Sequence, residues 1–458
     1  MESFHTQIKP KLGWVFIVFF ALIPVIVLFQ VTSLQDLFGS PYAILSTLGR
    51  TTALAGTILY ALNMVLSMRL KGLEDYFGGL NRVYLAHHLI GGTALVLLLF
   101  HPVFLALRYI EPITLSSFQA AAAFLLPRSL AGFSLHLVGL ARDNYAINAG
   151  IVAFLGMVVL LFITFFIKLP YRLWLFTHKF LGIAFAIAGL HILLVNSTTA
   201  NSGFLRFYML AFVVIGIVAY AYRTLLGSIL VRRYNYHVDQ VNVVGSGVVE
   251  LVMHPVGQPM TYQPGQFIFI RFRYSGDNNI TTEAHPFSIS SSPKDDYLRI
   301  DAKALGDYTT SLMKLKPGAI AEIEGAYGRF SYQNYPSQKQ VWIAGGIGIT
   351  PFLSMAKSLG PNSPAVDLYY SVKTTNEFVH FDALSQLIPQ IGHFHCIPWV
   401  ADSRGLLTAQ AITGMSGDLT ETDIFICGPP PMMAALKTQF RALGVPKRRL
   451  HTEEFRMQ

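Results

Sequence analysis

Four histidines lie in two apolar stretches of the sequence with nearly equal spacing. The first stretch, HHLIGGTALVLLLFH, carries His87 and His101, and the second, THKFLGIAFAIAGLH, carries His178 and His191. The paired histidines are 14 residues apart in the first stretch and 13 apart in the second. Imidazoles inside apolar segments are costly unless they bind a partner, and a metal is a common one. The pattern therefore predicts metal ligation inside a helical bundle.

The separation along each helix decides between one shared metal ion and two separate centres. A rise of about 1.5 Å per residue puts the two histidines of each stretch roughly 20 Å apart. One ion cannot bridge that distance, so each histidine needs a partner at the same depth on the other helix. The predicted pairs are His87 with His178, and His101 with His191. Two imidazoles that face each other suit the axial positions of a b-type haem, so the spacing predicts two haems across a membrane.

Helical phase separates the adjacent histidines at 87 and 88. Fourteen residues at about 100° each return to within about 40° of the same face, so His87 shares a face with His101 and His88 does not. Thirteen residues miss the starting face by about 140°, which predicts a bend or an overwound turn between His178 and His191. His87 is therefore the predicted ligand, and His88 is predicted to be a neighbour at the helix end.

These histidines must be positioned by helices that are long enough to cross a bilayer. The chain has 458 residues, of which 53% are hydrophobic and 13% charged, and its long apolar runs end near Leu230. A helix needs about 20 apolar residues to span the hydrocarbon core. Six segments have this length, at about residues 12–31, 43–67, 83–107, 146–168, 175–195 and 206–226.

Basic residues set the expected orientation of the six spans. Lysines and arginines lie before span 1, between spans 2 and 3, between spans 4 and 5, and after span 6. The other connections carry few charges, so the positive-inside tendency places both termini and the soluble half in the cytoplasm, next to the cell membrane. The net charge of +9 therefore arises beside membrane segments, and no nucleic-acid partner is expected.

The soluble half begins with a strand-rich segment that offers flavin-binding groups. YQPGQFIFIRF, at 262–272, is a turn that leads into an apolar strand. In HPFSIS, Ser288 offers a hydroxyl to the edge of a flavin ring, and further along the chain Lys303 and Thr309 offer groups for a pyrophosphate. GAYGRF, at 325–330, adds a glycine turn that permits close approach.

Two glycine-containing turns follow apolar strands in the last third of the chain. VWIAGGIGITPFLSM, at 341–355, is a strand, a glycine-rich turn and a helix start, where backbone N–H groups suit a dinucleotide pyrophosphate. DIFICGPPPMM, at 423–433, places Cys427 and Gly428 at the carboxyl end of another strand, where α/β sheets bind ligands. A small buried residue explains Cys427 equally well.

Together these motifs resemble the NADPH oxidase and ferric reductase family over nearly the whole chain. The resemblance rests on the two histidine spacings and on HPFSIS, LGDYT, GGIGITP and CGPP. It implies a multidomain membrane protein with a six-helix transmembrane di-haem bundle, an antiparallel β-barrel FAD domain and an α/β Rossmann-like NAD(P)-binding domain of the ferredoxin-reductase type. The expected domains are residues 1–228, 229–336 and 337–458.

The resemblance also implies which residues contact the cofactors. The implied FAD contacts are His285, Pro286, Phe287, Ser288, Ser290, Lys303, Gly306, Asp307, Tyr308 and Thr309. The implied nicotinamide nucleotide contacts are Gly345, Gly346, Gly348, Thr350, Pro351, Cys427, Gly428 and Pro429. Phe455, in TEEF, is implied to cover the flavin, and Cys427 is implied to lie at the reacting centre.

Two residues near the outer end of the bundle bear on the acceptor. Arg50, in LGRTTALAGTILY, resembles an arginine of the oxidases that lies beside the outer haem, where it would attract an anion such as superoxide. The alternative is an arginine that extends to the membrane interface. Leu105 stands where some oxidases have a second histidine. The sequence has no calcium-binding extension, so no calcium gating is expected.

The predicted function is electron transfer from cytoplasmic NAD(P)H through FAD and two b-type haems to an acceptor outside. Oxygen, giving superoxide or hydrogen peroxide, is the expected acceptor, and a ferric chelate or a protein partner is the alternative. After the strand that begins VDLYYSV, Lys373 and Thr374 suit a 2′-phosphate and no acid is evident, which favours NADPH. Membrane lipid is an expected partner, and no obligatory protein partner is evident.

Overall fold

The structure is a computed structural model that describes most of the chain. The described residues are 2–70, 72–110, 113–127, 140–197, 201–245, 247–273, 283–335 and 337–453. The chain forms two compact units. The first comprises Met1–Gly78 and Arg82–Val231, and the second comprises Gly79–Asn81 and Arg232–Gln458.

The first unit is built from helices, which satisfy their own backbone groups where no water is available. The long helices are α1 Glu2–Val31, α3 Pro41–Ser67, α4 Leu80–Leu107, α6 Leu140–Phe166, α8 Leu181–Leu194 and α9 Gly203–Tyr220. The short ones are α2 Leu34–Phe38, α5 Leu115–Phe124, α7 Tyr171–Lys179 and α10 Gly227–Leu230. Within the bundle α3 packs against α1 and α9, and α6 packs against α8.

Five stretches of the described helices are long and apolar enough to cross a membrane. They are Lys11–Val31, Leu80–Leu107, Asp143–Phe166, Arg172–Leu194 and Gly203–Leu225. Five of the six predicted spans are thereby confirmed.

The remaining predicted span, the second one at 43–67, is helical as α3 but is less apolar. Its polar residues lie inside the bundle, where Ser46, Thr47, Thr57 and Asn63 are buried. A helix enclosed by other helices presents little surface to lipid, so it carries polar groups where its neighbours do not. Its assignment as a span stays a prediction.

The fifth predicted span is interrupted at Phe180, between α7 and α8. The Phe180 amide donates a hydrogen bond to the carbonyl oxygen of Thr177 at 3.1 Å. A bond to the third preceding residue winds the turn more tightly than an α-helix does. The interruption lies between His178 and His191, where the 13-residue spacing predicted a distortion.

The second unit begins with an antiparallel sheet. Its strands are β1 Tyr234–Val243, β2 Val248–Pro255, β3 Phe267–Arg273, β4 His285–Ser288, β5 Leu298–Lys303 and β6 Ile320–Tyr327. The strand order is β4-β3-β6-β1-β2-β5, and a bridge between Ile289 and Ile300 joins the two edges. The sheet therefore closes around a core that includes Leu251, Ile268 and Ile323. The short helix α11, Asp307–Leu312, follows β5.

A parallel sheet with helices on both faces follows the antiparallel one. Its strands are β7 Lys339–Gly345, β8 Ala365–Val372, β9 Phe394–Val400, β10 Asp423–Cys427 and β11 Leu450–Glu453, in the order β11-β10-β7-β8-β9. Its helices are α12 Thr350–Ser358, α13 Phe381–Leu387, α14 Ala401–Arg404, α15 Ala409–Ser416 and α16 Pro430–Ala442.

Side chains alternate between the two faces of this parallel sheet. Along β7, Trp342 and Ala344 belong to one core layer, whereas Val341 and Ile343 belong to the other. Strands buried on both faces read as continuous apolar runs, as VWIA does. The antiparallel sheet and the α/β domain predicted from the sequence are confirmed.

Candidate functional site

The inner pair of histidines brings α4 and α7 together. The ring centroids of His87 and His178 are 6.4 Å apart. Two ring nitrogens at about 2 Å from one metal ion put their ring centroids about 6 Å apart, so this separation fits a pair of axial ligands. Nδ1 of His87 lies 3.2 Å from the carbonyl oxygen of Asn63. If Nδ1 donates that bond, Nε2 is left unprotonated for a metal.

The outer pair is anchored in the same way. Nδ1 of His101 lies 2.8 Å from the carbonyl oxygen of Gly49, and Nδ1 of His191 lies 2.7 Å from that of Ala146. His101 and His191 are close enough to interact electrostatically. A donor bond at Nδ1 fixes the tautomer in which Nε2 carries the lone pair. The donor set therefore fits a haem held by two imidazoles.

Glycines let the histidines reach those carbonyl groups. A Cβ atom added to Gly150 of α6 would lie 2.8 Å from Nδ1 of His191, and one added to Gly91 would lie 2.8 Å from the side-chain nitrogen of Asn63. The contribution of α6 was not predicted. Its signal in the sequence is a pair of small residues, Ala146 and Gly150, four positions apart on one helix face.

His178 and His88 differ from the three anchored histidines. Nδ1 of His178 is buried and has no hydrogen-bond partner among the described residues. Its ring stacks instead on Trp174, with centroids 5.1 Å apart and an angle of 15° between the planes. His88 is exposed, whereas His87 is half-buried. This difference agrees with the helical phase that favoured His87 as the ligand.

The residues predicted at the outer end lie around His101. Arg50 directly follows Gly49, whose carbonyl oxygen accepts the His101 bond, so the Arg50 backbone lies at the level of the outer pair. A Cβ atom on Gly49 would lie 2.8 Å from the Leu105 side chain. Leu105, which replaces the second histidine of some oxidases, therefore makes an apolar contact with α3. The role of Arg50 stays a prediction.

The predicted flavin residues lie along β4 and on α11. The rings of His285 and Tyr308 stack with centroids 3.6 Å apart, and Phe287 lies 6.4 Å from Tyr308. Three polar atoms here are buried without a hydrogen-bond partner among the described residues: His285 Nε2, Ser288 Oγ and Tyr308 OH. Such unpaired groups are rare in folded proteins, so these residues fit a ligand with polar atoms, as FAD is.

Both partners of the ring stack are electrically neutral near pH 7. Burial lowers the pKa of His285 below its usual 6.5, and the Glu283 carboxylate opposes this only in part. Burial also raises the pKa of the Tyr308 hydroxyl well above its usual 10. The stack therefore offers a flat, uncharged surface.

Two predicted flavin contacts, Thr309 and Ser290, make hydrogen bonds within the protein, and their contact with FAD stays a prediction. The Thr309 hydroxyl accepts hydrogen bonds from the amides of Leu305 at 3.0 Å and Gly306 at 3.2 Å, so it shapes the turn between β5 and α11. The Ser290 hydroxyl is fully buried and accepts a bond from Nε of Arg299 at 3.2 Å. Lys303, half-buried at the end of β5, is left as the predicted partner of a pyrophosphate. Pro286, Gly306 and Asp307 stay predictions.

The two glycine-containing turns lie side by side, because β7 and β10 are neighbours in the sheet. A Cβ atom on Gly345 would lie 2.8 Å from Cδ of Pro429, and one on Gly428 would lie 3.0 Å from Cα of Gly345. A Cβ atom on Gly348 would overlap the carbonyl group of Cys427. These glycines are therefore needed for the contact between the turns, at the edge where α/β sheets bind ligands.

The open side of the first turn is at Gly346. This residue has a φ of +54°, and no atom lies within 4 Å of the place a Cβ would occupy. The Thr350 hydroxyl donates to the carbonyl oxygen of Ile347 at 3.1 Å, and Pro351 lies in the first turn of α12. The helix start is thus ordered by its own residues, and the turn leaves room for a nucleotide backbone at Gly346.

Cys427 is packed inside the sheet. Its side chain is completely buried, and burial raises the pKa of the thiol well above its usual value. A neutral buried thiol is a poor nucleophile. The structure therefore favours packing over a chemical role for Cys427. Phe455, predicted to cover the flavin, lies outside the described residues.

The structure brings an acid to the end of β8 that the sequence did not reveal. The backbone amide of Lys373 donates to a Glu377 carboxylate oxygen at 3.4 Å. The Lys373 side chain itself is exposed. A carboxylate here suits ribose hydroxyls, whereas a lysine suits a 2′-phosphate. The expectation that no acid lies at this strand end was wrong, and the two side chains favour different nucleotides.

A buried ion-pair network, also not predicted, links the antiparallel sheet to the parallel one. His380 Nε2 lies 2.7 Å from Asp301 and 3.5 Å from Glu250, and Arg299 lies 3.2 Å from Glu250. His380 has a left-handed φ of 56°, which aims its ring at β5. The Arg299 guanidinium lies 3.2 Å from Glu250 and 3.9 Å from Asp301, so a fixed positive charge beside both carboxylates opposes the binding of a metal ion there.

Three family models match the chain in the order that the fold shows. They are a ferric reductase like transmembrane component at residues 52–189, an FAD-binding domain at 233–329 and an oxidoreductase NAD-binding domain at 342–438. The chain belongs to the ferric reductase and NADPH oxidase family. This ferric reductase homologue thus carries domains that bind FAD and a nicotinamide nucleotide, next to a membrane component.

Curated relatives match less than half of the chain. The reductase subunit of glycine betaine monooxygenase from Chromohalobacter salexigens is 29% identical over 211 residues, which are 42% of this chain and 56% of that protein. The electron transfer component of 2-halobenzoate 1,2-dioxygenase from Burkholderia cepacia is 31% identical over 194 residues, 40% of this chain and 55% of that protein. The homologue thus spans about half the length of these relatives.

Solved structures resemble it at lower identity. A flavohemoglobin from Malassezia yamatoensis is 16% identical and has a TM-score of 0.47, with 90% of this chain and 97% of that chain covered. The FAD/NAD-binding domain of a nitric oxide dioxygenase from Vibrio cholerae is 23% identical and has a TM-score of 0.40, with 48% of this chain and 97% of that chain covered.

We expect His87→Ala to lose one haem and His88→Ala to keep both. The first change removes an axial ligand, whereas the second removes an exposed ring one position away. Haem content per protein and the redox spectrum of the purified variants measure the difference. Equal haem loss in both variants would contradict the assignment of His87.

We expect Gly348→Ala to separate the two nucleotide-binding turns, because the new methyl group overlaps the Cys427 carbonyl. The loss of stability should be about 1–3 kcal/mol, with a higher KM for the nucleotide. Gly414→Ala, in α15, is the matched control because no atom lies within 4 Å of its added Cβ. Thermal unfolding compares the two, and equal stability of both variants would disprove the close contact.

We expect Lys373→Ala to raise the KM for NADPH about 10-fold, through loss of one charged contact, and to leave the KM for NADH unchanged. Glu377→Gln should act in the opposite direction, lowering the KM for NADPH and raising that for NADH. Steady-state kinetics with both nucleotides measures each effect. A Lys373 variant with unaltered preference refutes its contact with the 2′-phosphate.

Proposed function

We propose that this homologue transfers electrons across a membrane, from NAD(P)H on the cytoplasmic side to an acceptor on the opposite side. FAD and two b-type haems are the proposed cofactors, and the cell membrane is the proposed location. The chemistry supplied by bound FAD is the conversion of a hydride into single electrons, and that supplied by bound haem is their carriage through lipid.

One observation carries this proposal. His87 and His178, which are 91 positions apart in the sequence, meet with ring centroids 6.4 Å apart, and His87 is held through Nδ1. Buried imidazoles oriented by carbonyl groups are an arrangement that proteins use to hold metals. The second pair, His101 on α4 and His191 on α8, has both rings held through Nδ1 by carbonyl oxygens, and two such levels would make a path across the bundle.

The soluble residues have distinct tasks in this proposal. The ring stack of His285 and Tyr308, with the unpaired Ser288 hydroxyl, binds and orients the flavin. The turn at Gly346 would admit the nucleotide backbone, at the sheet edge beside Cys427. The ion-pair network at His380 keeps the two binding regions in register.

Oxygen is the proposed acceptor, with superoxide or hydrogen peroxide as the product. His101 and His191 would hold the outer haem, which would supply single electrons to an acceptor on the outer side. Arg50 at the outer level supplies a positive charge that stabilises a developing anion. The support for this acceptor is the resemblance to the oxidases at Arg50.

A ferric chelate is the second candidate acceptor, and one observation favours it. Leu105 occupies the place of the second oxidase histidine and packs against Gly49. The outer level therefore lacks, at that position, a side chain that could donate a proton to reduced oxygen. A ferric chelate requires no such donor, because its reduction is a one-electron step.

The acceptor is tested with the purified full-length protein, NADPH and two acceptors side by side. We expect superoxide formation in the wild type and its loss in His101→Ala, which still allows NADPH to reduce the remaining haem. His88→Ala is the control that retains activity. Reduction of the Fe(III) chelate without superoxide formation would show that the chelate, and not oxygen, is the acceptor. Absence of a haem spectrum would refute the whole proposal.

A further inference from the structure

Arg108 directly follows the last residue of α4, beyond the outer histidine, and its amide still donates to the Phe104 carbonyl oxygen at 3.3 Å. It follows His101 by seven residues, which is close to two helical turns, so both side chains leave the helix on nearly the same face. The distance along the axis is about 10 Å. A positive charge other than Arg50 therefore belongs to the outer end of the bundle.

Three aromatic rings from three segments surround the Arg108 guanidinium. Its carbon lies 5.2 Å from the ring centre of Tyr42, 5.0 Å from that of Tyr109 and 5.4 Å from that of Phe124. Nη2 also donates a hydrogen bond to the Tyr109 hydroxyl at 3.0 Å. Cation–π contacts of this kind hold the guanidinium plane in a fixed orientation. We call Arg108 with these three rings the arginine cage.

The cage leaves part of the guanidinium without a partner. Nε of Arg108 is buried and has no hydrogen-bond partner among the described residues, and no carboxylate of those residues pairs with this arginine. Aromatic faces do not accept the in-plane N–H bonds of a guanidinium as an oxygen does. A buried donor on a charged group is costly to leave unpaired, so this edge is suited to an anion.

We propose that the arginine cage binds a carboxylate group at the outer end of the bundle. The planar fork of a guanidinium matches the two oxygens of a carboxylate, and the rings pre-orient that fork. This inference rests on the proposed function, because the outer histidine pair defines the site beside the cage. The carboxylate has two sources, a propionate of the outer haem or a carboxylate of a ferric chelate such as ferric citrate.

The test compares Arg108→Gln, Arg108→Lys and the wild type as full-length protein. Arg206→Gln removes an exposed arginine of α9 and controls for a general loss of positive charge. Three readouts are needed: the midpoint potential of each haem, the KM for ferric citrate, and the KM for hexaammineruthenium(III), which is a cation without carboxylates. Arg108→Lys keeps the charge without the fork, and it gives the answer if the glutamine variant does not assemble.

The two sources give different results. If the cage holds a haem propionate, Arg108→Gln lowers the midpoint potential of the outer haem. The KM values for ferric citrate and for the ruthenium complex then change alike. If it holds the chelate, the haem potentials stay unchanged and the KM for ferric citrate rises about 10-fold or more, with no rise for the ruthenium complex. In both cases the lysine variant lies between the wild type and Arg108→Gln, and Arg206→Gln resembles the wild type.

Failure of the inference is distinct from failure of the proposed function. A wild type whose haems NADPH does not reduce would refute the proposed function. A wild type whose haems are reduced, with an Arg108→Gln variant that keeps the same potentials and the same KM values, would overturn the carboxylate site. An equal effect of Arg206→Gln would overturn it as well, because surface charge alone would then explain the change.

Discussion

The hydrogen bond from a histidine Nδ1 to a backbone carbonyl oxygen is the interaction on which the membrane unit depends. A carbonyl oxygen inside a helix already accepts one bond from its own helix, but its second lone pair remains available. A ring can reach it only where two helices pack closely. Gly150 provides that closeness for His191, and Asn63 and Gly49 offer their carbonyl groups to α4. The helix packing of α3 with α4, and of α6 with α8, thus orients three rings.

Much of the membrane unit could be predicted because its signals are local. Apolar length gives the spans, and helical phase alone separates His87 from His88 and requires a distortion before His191. The partners of the rings could not be predicted, since Asn63 and Ala146 are distant in the sequence and contribute only carbonyl groups. Because every residue has a backbone carbonyl group, the sequence does not indicate which carbonyl oxygen accepts the hydrogen bond from a histidine.

In the soluble unit, too, local features could be predicted and tertiary contacts could not. The glycine turns could be predicted, because the backbone conformation of each turn depends on glycines within the turn itself. The contacts of Ser290 and Glu377 could not be predicted, because only the fold brings Arg299 to the Ser290 hydroxyl and the Glu377 carboxylate back to the end of β8. Hydroxyl and carboxyl groups serve ligand or protein equally well, and only tertiary contacts decide between them.

The interruption at Phe180 has a mechanical consequence. In a single continuous helix, the orientation of the helix axis that positions His178 would also determine the position of His191. Because the helix is interrupted between α7 and α8, the two rings lie on separate helices. The His178 ring stacks on Trp174, whereas the His191 ring is held by α6. The two rings therefore take their orientations from different neighbours, and a substitution beside one ring leaves the contacts of the other in place.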